Sequence, residues 1–222
     1  MNPDYFQKLE HALAPERIDA YRQDGANQPV TMARYLWNMA LCESLYPTLQ
    51  IAEVALRNSL HHALTNHFKS SEWYDQVTKL PKWQSDQIET AKQKLRTNRK
   101  PVTHGRIVAE LSFGFWTGFF NKANLSNGLG FMLSGKAFPH AQKSNREVRN
   151  LNTKWKRVRD LRNRVFHHDR IIHWEDLDDQ HRNILEVTKW ISPELAELSK
   201  TLDRYTQTRQ AGLKPWIEQL NR

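Results

Sequence analysis

Residues 145–166 read Asn-Arg-Glu-Val-Arg-Asn-Leu-Asn-Thr-Lys-Trp-Lys-Arg-Val-Arg-Asp-Leu-Arg-Asn-Arg-Val-Phe, and His167 and His168 follow. The apolar members Val148, Leu151, Trp155, Val158, Leu161 and Val165 recur at spacings of three and four. With about 3.6 residues per turn, that spacing puts all six on one face of a helix. The other faces carry arginine, lysine and asparagine, so the helix is amphipathic and needs a partner surface for its apolar stripe.

The same period runs through the rest of the chain. One or two short helices are expected over residues 3–22, interrupted at Pro15, followed by a turn at 24–29. Thr31 can cap a helix from Met32 to about Tyr46. Pro47 suits the start of the next helix, from Thr48 to about Phe68, whose apolar face is Leu49, Ala52, Leu56, Leu60 and Ala63. A further helix is expected over Trp83–Arg96, then a basic loop over 97–105. Arg106–Asn121 reads as a short helix, a break at Gly114 and a second aromatic segment. Residues 124–143, rich in Asn, Gly and Ser, read as the longest loop. Trp174–Ser192 is expected to be a helix with an acidic start, which its dipole favours. Pro193 opens a last helix to about Gln207, and Leu213 and Trp216 can pack a short tail helix. Alternating polarity is almost absent, with Val102–Val108 the one weak strand candidate. The expected class is all-α.

Composition narrows the function. The chain has 222 residues, enough for one full core. No apolar run reaches the roughly 18 residues needed to cross a bilayer, and Met-Asn-Pro-Asp-Tyr-Phe does not read as a secretory signal. The single cysteine, Cys42, cannot form an internal disulfide and sits in an apolar helical pattern, as suits a reducing cytoplasm. The net charge of +9 is clustered. Residues 136–164 carry ten Lys/Arg against two acids, and residues 79–106 carry eight against two, whereas 168–203 carry nine acids against four bases. Such blocks are the footprint of a polyanion partner.

The first block runs into Arg162, Asn163 and His167. An arginine holds a phosphate in a planar fork of donors. A histidine gives or takes a proton near neutral pH, and an amide can orient either group. With Arg162 at zero, Asn163 lies at about 100° and His167 at about 140° around the helix. Arg164 and His168 fall further toward solvent. Glu53 and Arg57 are spaced to pair on one helix face, and Asn58 and His61 extend that polar strip.

Arg162-Asn163-Arg164-Val165-Phe166-His167-His168 resembles the signature of the Abi-like (abortive infection) family of the HEPN superfamily. That signature is an Arg, a polar residue and a His shortly after; four residues separate Arg162 from His167 here. Three other stretches resemble the family's pattern in its order: Tyr35-Leu36-Trp37-Asn38, Glu53-Val54-Ala55-Leu56-Arg57-Asn58, and Glu110-Leu111-Ser112-Phe113-Gly114-Phe115-Trp116. The resemblance covers about residues 24–190.

The resemblance implies an HEPN-like bundle of antiparallel helices with short accessory helices. It would be a single domain over residues 1–222, with an N-terminal helical extension (1–30) and a tail helix (208–222). The implied activity is that of a metal-independent endoribonuclease in phage abortive infection, or a toxin. Arg162, Asn163 and His167 would be catalytic. Glu53, Arg57, Asn58, His61 and His168 would support them. Lys143, Arg146, Arg149, Lys154, Lys156 and Arg159 would hold the RNA. The expected assembly is a homodimer in the cytoplasm, with an antitoxin or non-coding RNA as possible regulator. No cofactor, metal or membrane is expected. A non-catalytic RNA-binding or partner-binding module is the alternative.

Other chemistries fit less well. The histidines lack the His-Glu-x-x-His pattern of zinc hydrolases. His168-Asp169 is also the dipeptide of HD-type phosphohydrolases, but such a pair arises readily by chance. There is no Gly-x-Ser-x-Gly elbow, and Gly128-Leu129-Gly130 lacks the Lys and Ser/Thr of a phosphate loop.

Overall fold

The computed structural model describes residues 2–77 and 80–221. Lys79, which opens the basic block at 79–106, lies outside them. Among the described residues the protein is all-α, with twelve α-helices, four short 3-10 turns and no strand. Helices α1 (Pro3–Leu13) and α2 (Pro15–Asp19) each begin with a proline, whose missing N–H costs nothing at a helix start. Ala14, at φ 71, breaks the chain between them.

Helix α3 (Gln28–Phe68) corrects the expected pair of helices: it runs for 41 residues straight through Pro47. An internal proline forfeits one hydrogen bond and costs about 3 kcal/mol. Leu41, Leu45, Leu49 and Ala52 are fully or almost fully buried on either side of it. Each such leucine contributes roughly 1.5–3 kcal/mol, so continuing the apolar stripe outweighs the break. The cap is Asn27 rather than Thr31. Its Oδ1 accepts from the Val30 N–H at 3.0 Å, while the Thr31 hydroxyl donates back to the Asn27 carbonyl.

Then come α4 (Lys82–Thr97), α5 (His104–Glu110) and α6 (Phe113–Thr117). The strand candidate Val102–Val108 is a loop followed by the first turns of α5. Gly114 lies inside α6; the break falls just before it, where Ser112 Oγ accepts the Phe115 N–H at 3.1 Å. The expected loop over 124–143 contains α7 (Leu129–Lys136). The motif helix is α8 (Val148–Phe166), and α9 (Leu177–Ile191) follows. The last expected helix is divided into α10 (Pro193–Lys200) and α11 (Tyr205–Ala211). Asp203 Oδ1 caps the Tyr205 N–H there at 3.0 Å, which ends one helix and starts the other. The tail forms α12 (Lys214–Leu220).

The residues gather into two compact units. The first runs up to Pro47 and adds Arg162–His181 and the chain from Leu202 onward. Its apolar centre is Phe6, Ile18 and Met32, with Leu9, Leu13, Tyr35 and Leu36 packed around them. It also holds a polar knot around the buried His181 and Tyr205. His181 Nε2 lies 2.7 Å from Asp203 Oδ2, Tyr205 stacks on His181 at 4.4 Å, and the Tyr205 hydroxyl donates to Asp178 at 2.6 Å.

The second unit is Thr48–Leu161 with Arg182–Thr201. Its core is aromatic. Trp73 meets Phe115, Trp116 and Phe119 at 6.1–6.4 Å between ring centres, and Trp155 meets Phe113 and Phe138. Trp73–Trp116, Trp73–Phe119 and Phe113–Trp155 meet edge to face, and such pairs add about 0.5–1.5 kcal/mol each beyond area burial. The stripe expected for the motif helix is realised: Val148, Leu151, Trp155, Val158, Leu161 and Val165 are all buried.

Candidate functional site

The end of α8 is closed by a Schellman motif. The Asp169 N–H bonds the Arg164 carbonyl at 2.9 Å and the His168 N–H bonds the Val165 carbonyl at 3.2 Å. His168 sits at φ 58, in the left-handed region that such a motif needs and that glycine usually fills. His167 keeps its helical bond to the Asn163 carbonyl, at 2.9 Å. Two side chains from the first unit hold this turn. Arg17 donates to the His168 carbonyl. Asn38, buried, accepts the Ile171 N–H at 2.7 Å and donates to the Asp169 carbonyl at 3.2 Å.

Arg162 is half-buried, with its guanidinium carbon 4.3 Å from the centre of the Phe166 ring. Phe166 in turn stacks on the exposed Tyr46 at 5.1 Å. A cation over an aromatic face gains about 0.5–2 kcal/mol, and the ring restricts where the guanidinium can point. Asn163 is half-buried; His167, Arg164 and His168 are exposed. The expected order of exposure, with Arg164 and His168 further out than Arg162, therefore holds. Arg164 is bound to the Asp169 carboxylate at 3.0 Å, so that carboxylate is already engaged.

Beside the turn lies an open cleft of about 530 Å³, with Arg17, Met39, Tyr46, Val165 and His168 among its walls. Cys42 also lines it, with a thiol that burial pushes up to about 11. A thiol held that high is protonated at neutral pH and is a poor nucleophile. Arg17, Asn38, Tyr46 and Phe166 are site residues that were not among the expected functional ones. Phe166 lies within the motif and Asn38 ends the Tyr35–Asn38 segment, whereas Arg17 and Tyr46 carried no signal.

Of the residues expected to support the motif, His168 lies in the first unit, and Glu53, Arg57, Asn58 and His61 lie in the second. Glu53 and Arg57 are half-buried and Asn58 is exposed. The Arg57 Nε donates to Asn58 Oδ1 at 3.2 Å. His61 accepts the Trp73 indole N–H on its Nδ1 at 3.0 Å, so it secures the aromatic core. Burial, then the neighbouring His62, His104 and Arg57, lowers its pKa below the usual 6.5. Among the described residues no group of three or more His, Cys, Asp or Glu is placed to hold a metal ion.

The six expected RNA contacts differ in how free they are. Lys154 pairs with Glu186 and lies 5.8 Å from the Trp190 ring centre. Lys156 pairs with Asp160 at 3.0 Å. Arg159 donates to Thr117 Oγ1 and lies 3.7 Å from Asp160. Arg146 spends its guanidinium on the Ala141 and Pro139 carbonyls, both at 2.9 Å, and so pins the turn before α8. Lys143 and Arg149 are exposed, and neither pairs with an acid among the described residues.

No family model matches the chain, and no curated protein or solved structure matches it either.

Proposed function

We propose that the protein is a metal-independent endoribonuclease of the Abi-like HEPN type, acting in phage abortive infection or as a toxin, with an antiparallel helical bundle as its scaffold. The observation that carries this reading is the last turn of α8. There a half-buried Arg162 is steadied on Phe166, and an exposed His167 follows at the helix end.

The chemistry uses the RNA's own 2′-hydroxyl. His167 takes its proton as the 2′-oxygen attacks phosphorus. Arg162 offsets the extra negative charge on the phosphorane, where a fixed cation is worth most. The P–O5′ bond breaks, leaving a 2′,3′-cyclic phosphate and a 5′-hydroxyl. Asn163 orients His167 or a phosphate oxygen. The departing 5′-oxygen needs a proton, and each motif offers one exposed catalytic histidine. A symmetric homodimer that brings two motifs to one cleft supplies the second. Such an enzyme would act in the cytoplasm and call for restraint by an antitoxin or non-coding RNA.

The test is a labelled RNA in EDTA. Wild type is expected to cut it to cyclic-phosphate ends. Arg162→Ala and His167→Ala should lose cleavage yet still bind, and His168→Ala should cut. Mixing the Arg162 and His167 variants should restore part of the activity if sites form across a dimer. Binding without cleavage at every protein concentration would assign the chain to the non-catalytic module. Cleavage that requires added divalent metal would overturn the mechanism.

A further inference from the structure

A second cleft, of about 620 Å³, lies wholly within the second unit at the start of α8. Its walls include Phe131, Lys122, Lys143, Arg149 and one acid, Glu147. Phe131 is 62% exposed, an unusual place for a phenylalanine in a chain that buries most of its others. Lys122, Lys143 and Arg149 are exposed, and among the described residues none pairs with an acid. Further along α8, by contrast, Lys154 and Lys156 are neutralised by their acids.

The cleft is held by rigid parts. Gly130 lets α7 approach the 118–120 turn so closely that an added Cβ would lie 2.9 Å from the Phe119 carbonyl oxygen. Asn124, fully buried, donates to Gln84 Oε1 at 2.8 Å and to the Gly118 carbonyl at 2.9 Å. It also accepts from Asn127 at 2.8 Å, and Asn127 caps the Leu129 N–H. Lys122 and Phe131, on either side of this chain of amides, are thereby set in place.

We infer that this cleft binds single-stranded RNA, with one unpaired base stacked on Phe131 and the flanking phosphates on Lys122, Lys143 and Arg149. The inference rests on the RNA reading of the protein and adds a substrate-holding site to it. Four cations line the cleft against one carboxylate, Arg146 bound to backbone carbonyls and the other three unpaired, and this balance matches a polyanion. An exposed ring among them adds what phosphate attraction lacks, a platform for a base. Stacking requires a base free of its duplex, so single strands are favoured over double.

The probe is a labelled twelve-residue oligodeoxyuridylate, which has no 2′-hydroxyl and is not cut. Its anisotropy is followed with the full chain. Phe131→Ala is expected to weaken binding roughly 10-fold, as loss of one stacked base does, and Phe131→Tyr to keep it. Lys122→Gln, Lys143→Gln and Arg149→Gln should each weaken binding, while Lys200→Gln, at an exposed lysine paired with Glu197, should not. A duplex of equal length should compete poorly. Unchanged binding in Phe131→Ala, or equal competition by duplex, would overturn the proposal. So would capture by anionic phosphatidylglycerol vesicles that depends on Phe131 when the oligonucleotide does not bind. If RNA is cut and Phe131→Ala binds like wild type, the cleft fails and the nuclease stands. If the cleft binds as described and no RNA is cut, the nuclease fails and the cleft stands.

Discussion

Replacing His168 by glycine should make the protein more stable. His168 occupies the left-handed position of the turn that ends α8, at φ 58. For a residue with a Cβ, that conformation costs about 1–2 kcal/mol. Glycine avoids the cost but loses about 0.5–1 kcal/mol in backbone entropy on folding. The net gain is about 0.5–1 kcal/mol. The bonds that hold the turn are kept, because Arg17 and the Schellman pair use only backbone atoms of His168. In a chain of 222 residues such a gain raises Tm by roughly 2 °C. His168→Ala keeps the Cβ and so should give no gain. Thermal unfolding of both variants, with urea titration, separates the two. A glycine variant less stable than wild type, or an alanine variant equally stabilised, would refute the reasoning. Under the proposed mechanism the glycine variant still cleaves RNA, since His167 and Arg162 are untouched.

Asn124→Ala should destabilise the second unit by about 3 kcal/mol or more, because three partners in a buried site lose their bonds at roughly 1–3 kcal/mol each; chemical denaturation measures it. His61 and His173 both have pKa values lowered below 6.5, His61 chiefly by burial and His173 by burial and then Arg170 and Arg164. The unfolded chain therefore binds more protons just below pH 6.5, and stability is full above that value and falls as pH drops toward the folded pKa. His61→Asn, which keeps an acceptor for Trp73, should make the fall in Tm between pH 7.5 and 5.5 shallower; an unchanged slope would exclude His61 as a contributor. Arg146→Ala should lower stability by about 1–3 kcal/mol through its two carbonyl partners, whereas Arg149→Ala should leave Tm unchanged and weaken only nucleic-acid binding.

The α8 stripe was readable because one face of one helix is a local property: six positions at spacings of three and four become six buried residues. The exposure order of Arg162, Arg164 and His168 followed from the same angles. What was not readable depends on residues far apart in the chain. Pro47 ends a helix unless the apolar residues before it and after it are each buried. Asn124 and Asn127 look like loop residues until Gln84, some forty positions earlier, gives them a bonding partner. Nothing near Lys154 shows that Glu186 will neutralise it. The placement of Arg17 and Asn38 on the carbonyls and amides after the motif likewise joins segments more than 130 residues apart.

The neutralised lysines of α8 change what an ionic-strength titration should read. Binding to a single strand releases counterions in proportion to the phosphates contacted, with a slope of about −0.7 per contact in a plot of log affinity against log salt. All ten Lys/Arg of residues 136–164 acting together would give a slope near −7. The three unpaired cations around Phe131 give about −2. A chain with this much positive charge should therefore hold its ligand across a moderate rise in salt, with the stacked base supplying the part of the affinity that salt does not reach.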